Sequence, residues 1–227
     1  MKPHSKILYK GIKGFLAILM VTFLSTIVFA EKKNNADLHS RIPELDDMDF
    51  TEMINSVNVR EKTALIQKFQ DKEARDRLLK EYKNKPGCSV ESYRNKEVLL
   101  ITIPAKYLFA PNSIELSPDA SKFLIPIKRY LKDPDMYRVL LAMHTDNTGS
   151  KEYREEITVD RVNAVFDWFE DNTPDTRYLF SYALSDEMPL AENNNSMENR
   201  DMNRRLEIFL VPGKKMLEQA QKGRIAF

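Results

Sequence analysis

The chain has 227 residues, with 35 Lys and Arg against 34 Asp and Glu. That balance leaves no global field to draw nucleic acid or an anionic membrane surface, so recognition must be local. A single cysteine, Cys88, excludes an internal disulfide, and His4, His39 and His144 are too scattered for metal-ligand spacing, so neither a metal nor another cofactor is expected.

The N-terminus places Lys2, Lys6, Lys10 and Lys13 before an uncharged run from Gly14 to Ala30. As a helix the run is about 25 Å long, short of a roughly 30 Å hydrocarbon core. Val28-Phe29-Ala30 offers a cleavage site, so residues 1–30 read as a signal peptide removed after Ala30, with a single-span anchor as the alternative. Either way the chain beyond residue 30 is exported. No Cys follows the run, which closes the lipoprotein route.

Residues 31–57 are polar and read as a tether. Residues 58–87 read as a charged helical spacer whose apolar stripe, Leu65, Phe69, Leu78 and Tyr82, is thin and broken; it ends at Pro86-Gly87. Its helix, 58–83, is either a docking surface for a partner or a loosely packed element. Residues 88–212 read as a domain able to fold alone, and 213–227 as a tail. No β-barrel is expected from residues 31–96, which lack repeated alternating strands.

From Cys88 the pattern shortens. Strands are expected at Cys88–Tyr93 and Glu97–Ile103, joined at Arg94-Asn95-Lys96. A helix is expected to open at Ser117-Pro118, a strand to cover Tyr137–Met143, a helix Val159–Phe169 capped by Thr158, and further strands Leu179–Leu184 and Leu206–Val211. The order is β-α-β-α-β-β, an α/β (α+β) sandwich: a mixed sheet with helices on one face.

Within this frame, Phe109-Ala-Pro-Asn-Ser-Ile-Glu-Leu116, His144-Thr-Asp-Asn-Thr-Gly-Ser150, Ile157-Thr-Val-Asp-Arg161 and Asn203-Arg-Arg-Leu-Glu-Ile208 occur in order. These segments resemble the four signatures of the OmpA-like C-terminal domain family, over about half the chain. No Ser, Cys or metal constellation completes a nucleophilic or hydrolytic site, so no enzymatic activity is expected, and the resemblance implies a module in the periplasm, associated with the outer membrane and cell wall. It implies non-covalent binding of peptidoglycan through the diaminopimelate of the stem peptide, tethering the wall to the outer membrane or an envelope assembly. The family's main contacts fall on Asp146 and Arg161. The alternative is a docking domain in an outer-membrane or secretion complex, with the 58–83 helix as its surface.

The chemistry fits on its own terms. An amino-acid head carries an ammonium and a carboxylate, which Asp146 and the planar Arg161 would grip respectively. Arg161 is expected in the first turn of its helix, where a cation opposes the dipole and makes sense only beside an anion. Taken alone, the pair also has a plain structural reading: Asp146 caps a turn and Arg161 pairs with Asp146 or Asp160 on the surface. Asn147, Thr148 and Asn112 lie in loops that can reach the ligand. Of Arg204 and Arg205, adjacent at a strand start, only one can face the pocket, and the other reads as a solvated charge. His144 reads as a core-edge residue satisfying a loop carbonyl. Three positions depart from the family pattern: Ala110 where Asp is frequent, Met143 where Gly is usual, and Arg154 where Asn is common. Arg154 therefore joins the candidate contacts.

Overall fold

The computed structural model describes residues 45, 47–55, 63–133 and 135–227. The signal or anchor segment, most of the tether and the first residues of the expected spacer helix lie outside the described residues. Among the described residues no helix is long and apolar enough to cross a membrane.

Five strands form one sheet in the order β1-β2-β5-β3-β4: β1 Ser89–Tyr93, β2 Val98–Pro104, β3 Tyr137–His144, β4 Leu179–Ala183 and β5 Arg205–Pro212. All neighbours are antiparallel except β3 and β4, so the sheet is mixed, as the alternation of elements implies. The β1–β2 turn sits at Arg94-Asn95-Lys96, each with positive φ. Three left-handed residues without glycine are costly, and Arg94 Nε donates to Glu97 Oε2 at 3.0 Å across the turn.

The last strand enters the middle of the sheet. Its start pairs with both neighbours, Pro104↔Arg205 and His144↔Arg205, so three strand ends and their loops converge at one end. Val139, Leu141, Leu206, Ile208 and Leu210 are fully buried under the principal helices. The opposite face is not bare. The short helix α1, Phe50–Asn55, lays Phe50 5.2 Å from the Phe209 ring and 5.4 Å from Tyr182, so part of the expected tether belongs to the core.

The spacer expectation also gives way. Helix α2, Thr63–Phe69, runs through a π-helical segment, Gln70–Ala74, into α3, Arg75–Tyr82. Ile66, Phe69, Ala74, Leu78 and Tyr82 are all buried in the common core. Gln70 is fully buried: Nε2 donates to the carbonyls of Glu97 (2.9 Å) and Leu210 (3.4 Å), and Oε1 accepts from the Tyr137 hydroxyl at 2.9 Å. A polar side chain satisfied on three sides pins this helix to two strands and a turn. A solvated spacer would show none of this.

Three further elements differ from the sequence reading. Ser117 caps no helix: its hydroxyl donates to the Tyr107 carbonyl, and α4 is only Ser121–Leu124 before a 3-10 helix at Ile125–Leu131. Pro126 explains the change, because it has no N–H to give the preceding turn. Helix α5 spans Lys151–Asn172, capped by Ser150, whose Oγ accepts from Tyr153 N at 3.2 Å. Thr158 therefore lies inside the helix, where its hydroxyl donates to the Arg154 and Glu155 carbonyls. The C-terminal stretch is also structured. After α6, Met197–Asn203, and β5, helix α7 at Lys214–Gln221 buries Met216 and Ala220, and the Phe227 ring stacks 5.6 Å from Tyr130.

The junction between β5 and α7 has no room for a side chain. A Cβ on Gly213 would sit 2.0 Å from the Asp135 carbonyl oxygen, while Gly213 N donates to the Met136 carbonyl at 2.9 Å. Backbone must move to admit alanine, so Gly213→Ala is expected to cost roughly 3 kcal/mol. A urea titration shows this as a lower midpoint at unchanged slope; an unchanged midpoint overturns it.

Candidate functional site

At the convergent end of the sheet lies a cavity of about 450 Å³, lined among others by Lys106, Phe109, Asn112, Asp146, Thr148, Tyr153, Arg161, Asp201 and Arg204. Its floor is the exit of β3. Asp146 is 1 % exposed, and its Oδ1 accepts from Thr148 N at 2.9 Å and from Thr148 Oγ1 at 2.5 Å. This Asx turn fixes the carboxylate plane. The other oxygen, Oδ2, has no hydrogen-bond partner among the described residues; Arg204 Nη2 stands 2.5 Å away as a charge contact without hydrogen-bond direction.

Arg161 forms the facing wall. It lies midway along α5, not in the first turn, so the dipole conflict expected for it does not arise. Its side chain passes 4.9 Å over the Phe109 ring, Nε donates to the Ser113 carbonyl at 2.9 Å, and Nη2 reaches the Ala110 carbonyl at 3.4 Å. The loop that supplies these carbonyls is closed by a Phe109↔Leu116 bridge and turns at Asn112, which has φ +58°. Arg161 is 6 % exposed, and among the described residues no carboxylate pairs with it. Neither Asp146 nor Asp160 takes the role that a surface ion pair required. Burial lowers the Arg161 guanidinium from its ordinary value, and the Arg204 charge acts in the same direction.

The other sequence candidates divide. Thr148, Asn112 and Arg204 line the cavity, and Asn112 Oδ1 accepts from the Tyr153 hydroxyl at 3.2 Å. Asn147 is exposed beside the cavity and does not line it. Arg154 points elsewhere, with Nε donating to Asp186 at 3.0 Å and Nη1 to the Gly149 carbonyl. Arg205 is not in the cavity and is not solvated. It is 2 % exposed, donating to Glu207 Oε1 at 2.8 Å and to the Met188 carbonyl at 2.9 Å. Successive residues of a strand face opposite sides, so Arg204 can enter the cavity only if Arg205 turns into the sheet's other face.

A buried polar chain backs this arrangement. His144 Nδ1 lies 3.1 Å from the Glu187 carbonyl, as expected of a core-edge histidine, and Nε2 lies 3.2 Å from Glu207 Oε2. Burial would raise the Glu207 carboxyl, but His144 and Arg205 outweigh it and hold the group below its ordinary value. Asn203 accepts from the Leu190 and Ala191 N–H groups and donates to the Ala191 carbonyl. Asn203 and Arg205 thus hold the loop between β4 and α6, leaving Arg204 free to face the ligand space.

Sequence reasoning did not find Lys106 or Asp201, which come from a 3-10 turn and from α6. Their 2.8 Å ion pair forms the remaining wall, and the Asp201 hydrogen bond raises the Lys106 ammonium from its ordinary value. Neither lies in a recognisable motif, and only the fold brings the two together.

The OmpA family profile matches residues 108–204, which include most of this wall. The outer-membrane lipoprotein YfiB of Pseudomonas aeruginosa is 31% identical over 106 residues, 47% of this chain and 62% of the relative. The chain thus spans less than two thirds of that relative's length. Among solved structures, a MotB-like protein from Desulfovibrio vulgaris superposes with TM-score 0.56 at 22% identity, covering 65% of this chain and 96% of the other. The cell wall anchor of the T6SS from Pseudomonas aeruginosa superposes with TM-score 0.52 at 26% identity, covering 61% and 96%. The ordered signatures and the profile converge on one stretch: residues 108–204 carry the match to the OmpA family.

Proposed function

We propose that the cavity binds peptidoglycan non-covalently, gripping the free amino-acid end of the stem-peptide diaminopimelate, and that the protein tethers the wall within the cell envelope. Asp146 takes the ammonium and Arg161 the carboxylate, while Arg204, Thr148 and Asn112 wall the site. The domain anchors and does not catalyse. The observation that carries this reading is the charge pattern of the cavity lining. A buried guanidinium without a carboxylate is costly, of order several kcal/mol in a dry site, and here it faces a cavity that also presents a buried carboxylate whose Oδ2 meets, among the described residues, only the undirected Arg204 contact. A ligand bearing both opposite charges a few ångströms apart satisfies both at once. The relatives support the setting: one is named an outer-membrane lipoprotein and one a cell wall anchor.

The test is co-sedimentation of residues 31–227 with purified sacculi. Binding is expected, with release by millimolar free diaminopimelate and none by an equal concentration of cadaverine, which carries ammonium groups and no carboxylate. Sedimentation that diaminopimelate does not reverse overturns the assignment. Retention by envelope extracts but not by sacculi points instead to a protein-docking role.

A further inference from the structure

The two partners of the Asp146–Arg204 ion contact are not equivalent. Asp146 cannot move, because its Oδ1 is held twice by Thr148. Arg204 can, but only through its side chain. Its N–H donates to the Arg200 carbonyl at 2.9 Å and its carbonyl accepts from Ala105 N at 2.9 Å, whereas the side chain is 34% exposed and its ion contact among the described residues is Asp146 alone. The guanidinium therefore lies where a ligand ammonium has to go, attached through a contact that lacks hydrogen-bond direction.

We propose that Arg204 sets the ligand selectivity of the cavity: it stands in for the ligand's ammonium on Asp146 and yields only to a ligand that also brings a carboxylate. The inference rests on the diaminopimelate reading and goes beyond it, assigning Arg204 the task of rejecting ligands that carry an ammonium alone. The charge count gives the reason. The cavity lining holds Asp146 and Asp201 against Lys106, Arg161 and Arg204, so one cation is in excess. An ammonium without a carboxylate raises the excess to two and frees Arg204 beside Arg161, in a site where the two cations already act on one another. An ammonium with a carboxylate leaves the excess at one and gives the released guanidinium a partner next to Arg161. Rejection of the wrong ligand thus comes from a repulsion built into the site as well as from attraction to the right one.

The test is calorimetric titration of residues 31–227 and of the same chain with Arg204→Met, which keeps a long apolar stem, with three peptides. These are L-Ala-D-Glu-diaminopimelate, the same peptide amidated at the side-chain carboxylate, and L-Ala-D-Glu-L-Lys. All three share the main-chain carboxylate and differ only at the end that enters the cavity. The parent is expected to prefer the first by at least tenfold over the other two. In Arg204→Met that ratio is expected to fall at least fivefold, chiefly because the two ammonium-only peptides bind more tightly. Arg204→Lys, which keeps the charge, is expected to retain the preference, and Arg204→Gln replaces the methionine variant if circular dichroism shows the latter unfolded. Equal weakening of all three peptides, or an unchanged ratio, overturns the role of Arg204 while leaving the diaminopimelate reading intact. A parent that binds none of the three overturns the reading itself, and the selectivity proposal with it.

Discussion

Deleting residues 31–84 is expected to abolish cooperative unfolding, although the remaining chain keeps all five strands and every residue of the cavity. The lost segment supplies Met53, Ile66, Phe69, Ala74, Leu78 and Tyr82, each at most 5 % exposed. Burial of a large apolar side chain is worth about 1.5–3 kcal/mol, so the set contributes on the order of 10 kcal/mol as an upper bound, comparable to the whole stability of an ordinary domain. The deletion also strips partners from the Glu97 and Leu210 carbonyls and from the Tyr137 hydroxyl, which Gln70 satisfies. Circular dichroism melts of residues 85–227 and 45–227 decide the matter. A sharp transition in the shorter fragment, within a few degrees of the longer, would show that the helix is dispensable. A milder version is Ile66→Ala, expected to cost about 2–5 kcal/mol in the full chain.

This helix shows where sequence pattern stopped informing. Its buried positions 66, 70, 74, 78 and 82 are spaced by four, a stripe that drifts around an ideal helix of 3.6 residues per turn unless the helix unwinds locally. The π-helical segment at Gln70–Ala74 supplies that adjustment. Two of the five positions are filled by a glutamine and an alanine, so an apolar count sees a broken stripe on a solvated helix. The strands were legible because alternation and turn residues are local: Arg94-Asn95-Lys96 and the apolar run of β2 needed no tertiary information. The position of β5 between β2 and β3 did need it, and that position brings Arg204 to Asp146. The motif residues Asp146 and Arg161 were legible from their ordered signatures. Their supports were not: the 109–117 loop that holds Arg161 by carbonyls, and the Lys106–Asp201 pair, join segments far apart in the chain. The Ala110 departure proves mild at one point, since Arg161 uses the backbone carbonyl there rather than a side chain.

Asp146→Asn and Arg161→Gln are each expected to weaken sacculus binding at least tenfold while leaving the fold in place. Asparagine keeps an acceptor for both Thr148 contacts and removes only the charge, so the Asx turn survives and the ammonium loses its counterion. Glutamine at 161 removes the guanidinium that awaits a carboxylate, and with it the contact over the Phe109 ring. Each charge-assisted contact is worth about 1.5–3 kcal/mol in a shielded site, which sets the tenfold floor. The double variant is expected to lose less than the sum, because both groups act on one small ligand and loss of either forfeits most of the binding. Stability moves differently at the two positions. Arg161 lies mid-helix, so its removal relieves no dipole conflict; it frees the Ser113 and Ala110 carbonyls and ends a costly buried charge, two effects that oppose each other. Asp146→Asn leaves Arg204 without its anion at a position one-third open to water, where the loss is small. Both variants should therefore melt within a few degrees of the parent. If they do and still sediment with sacculi as the parent does, the cavity is not the wall-binding site, and the contact must lie elsewhere on the protein.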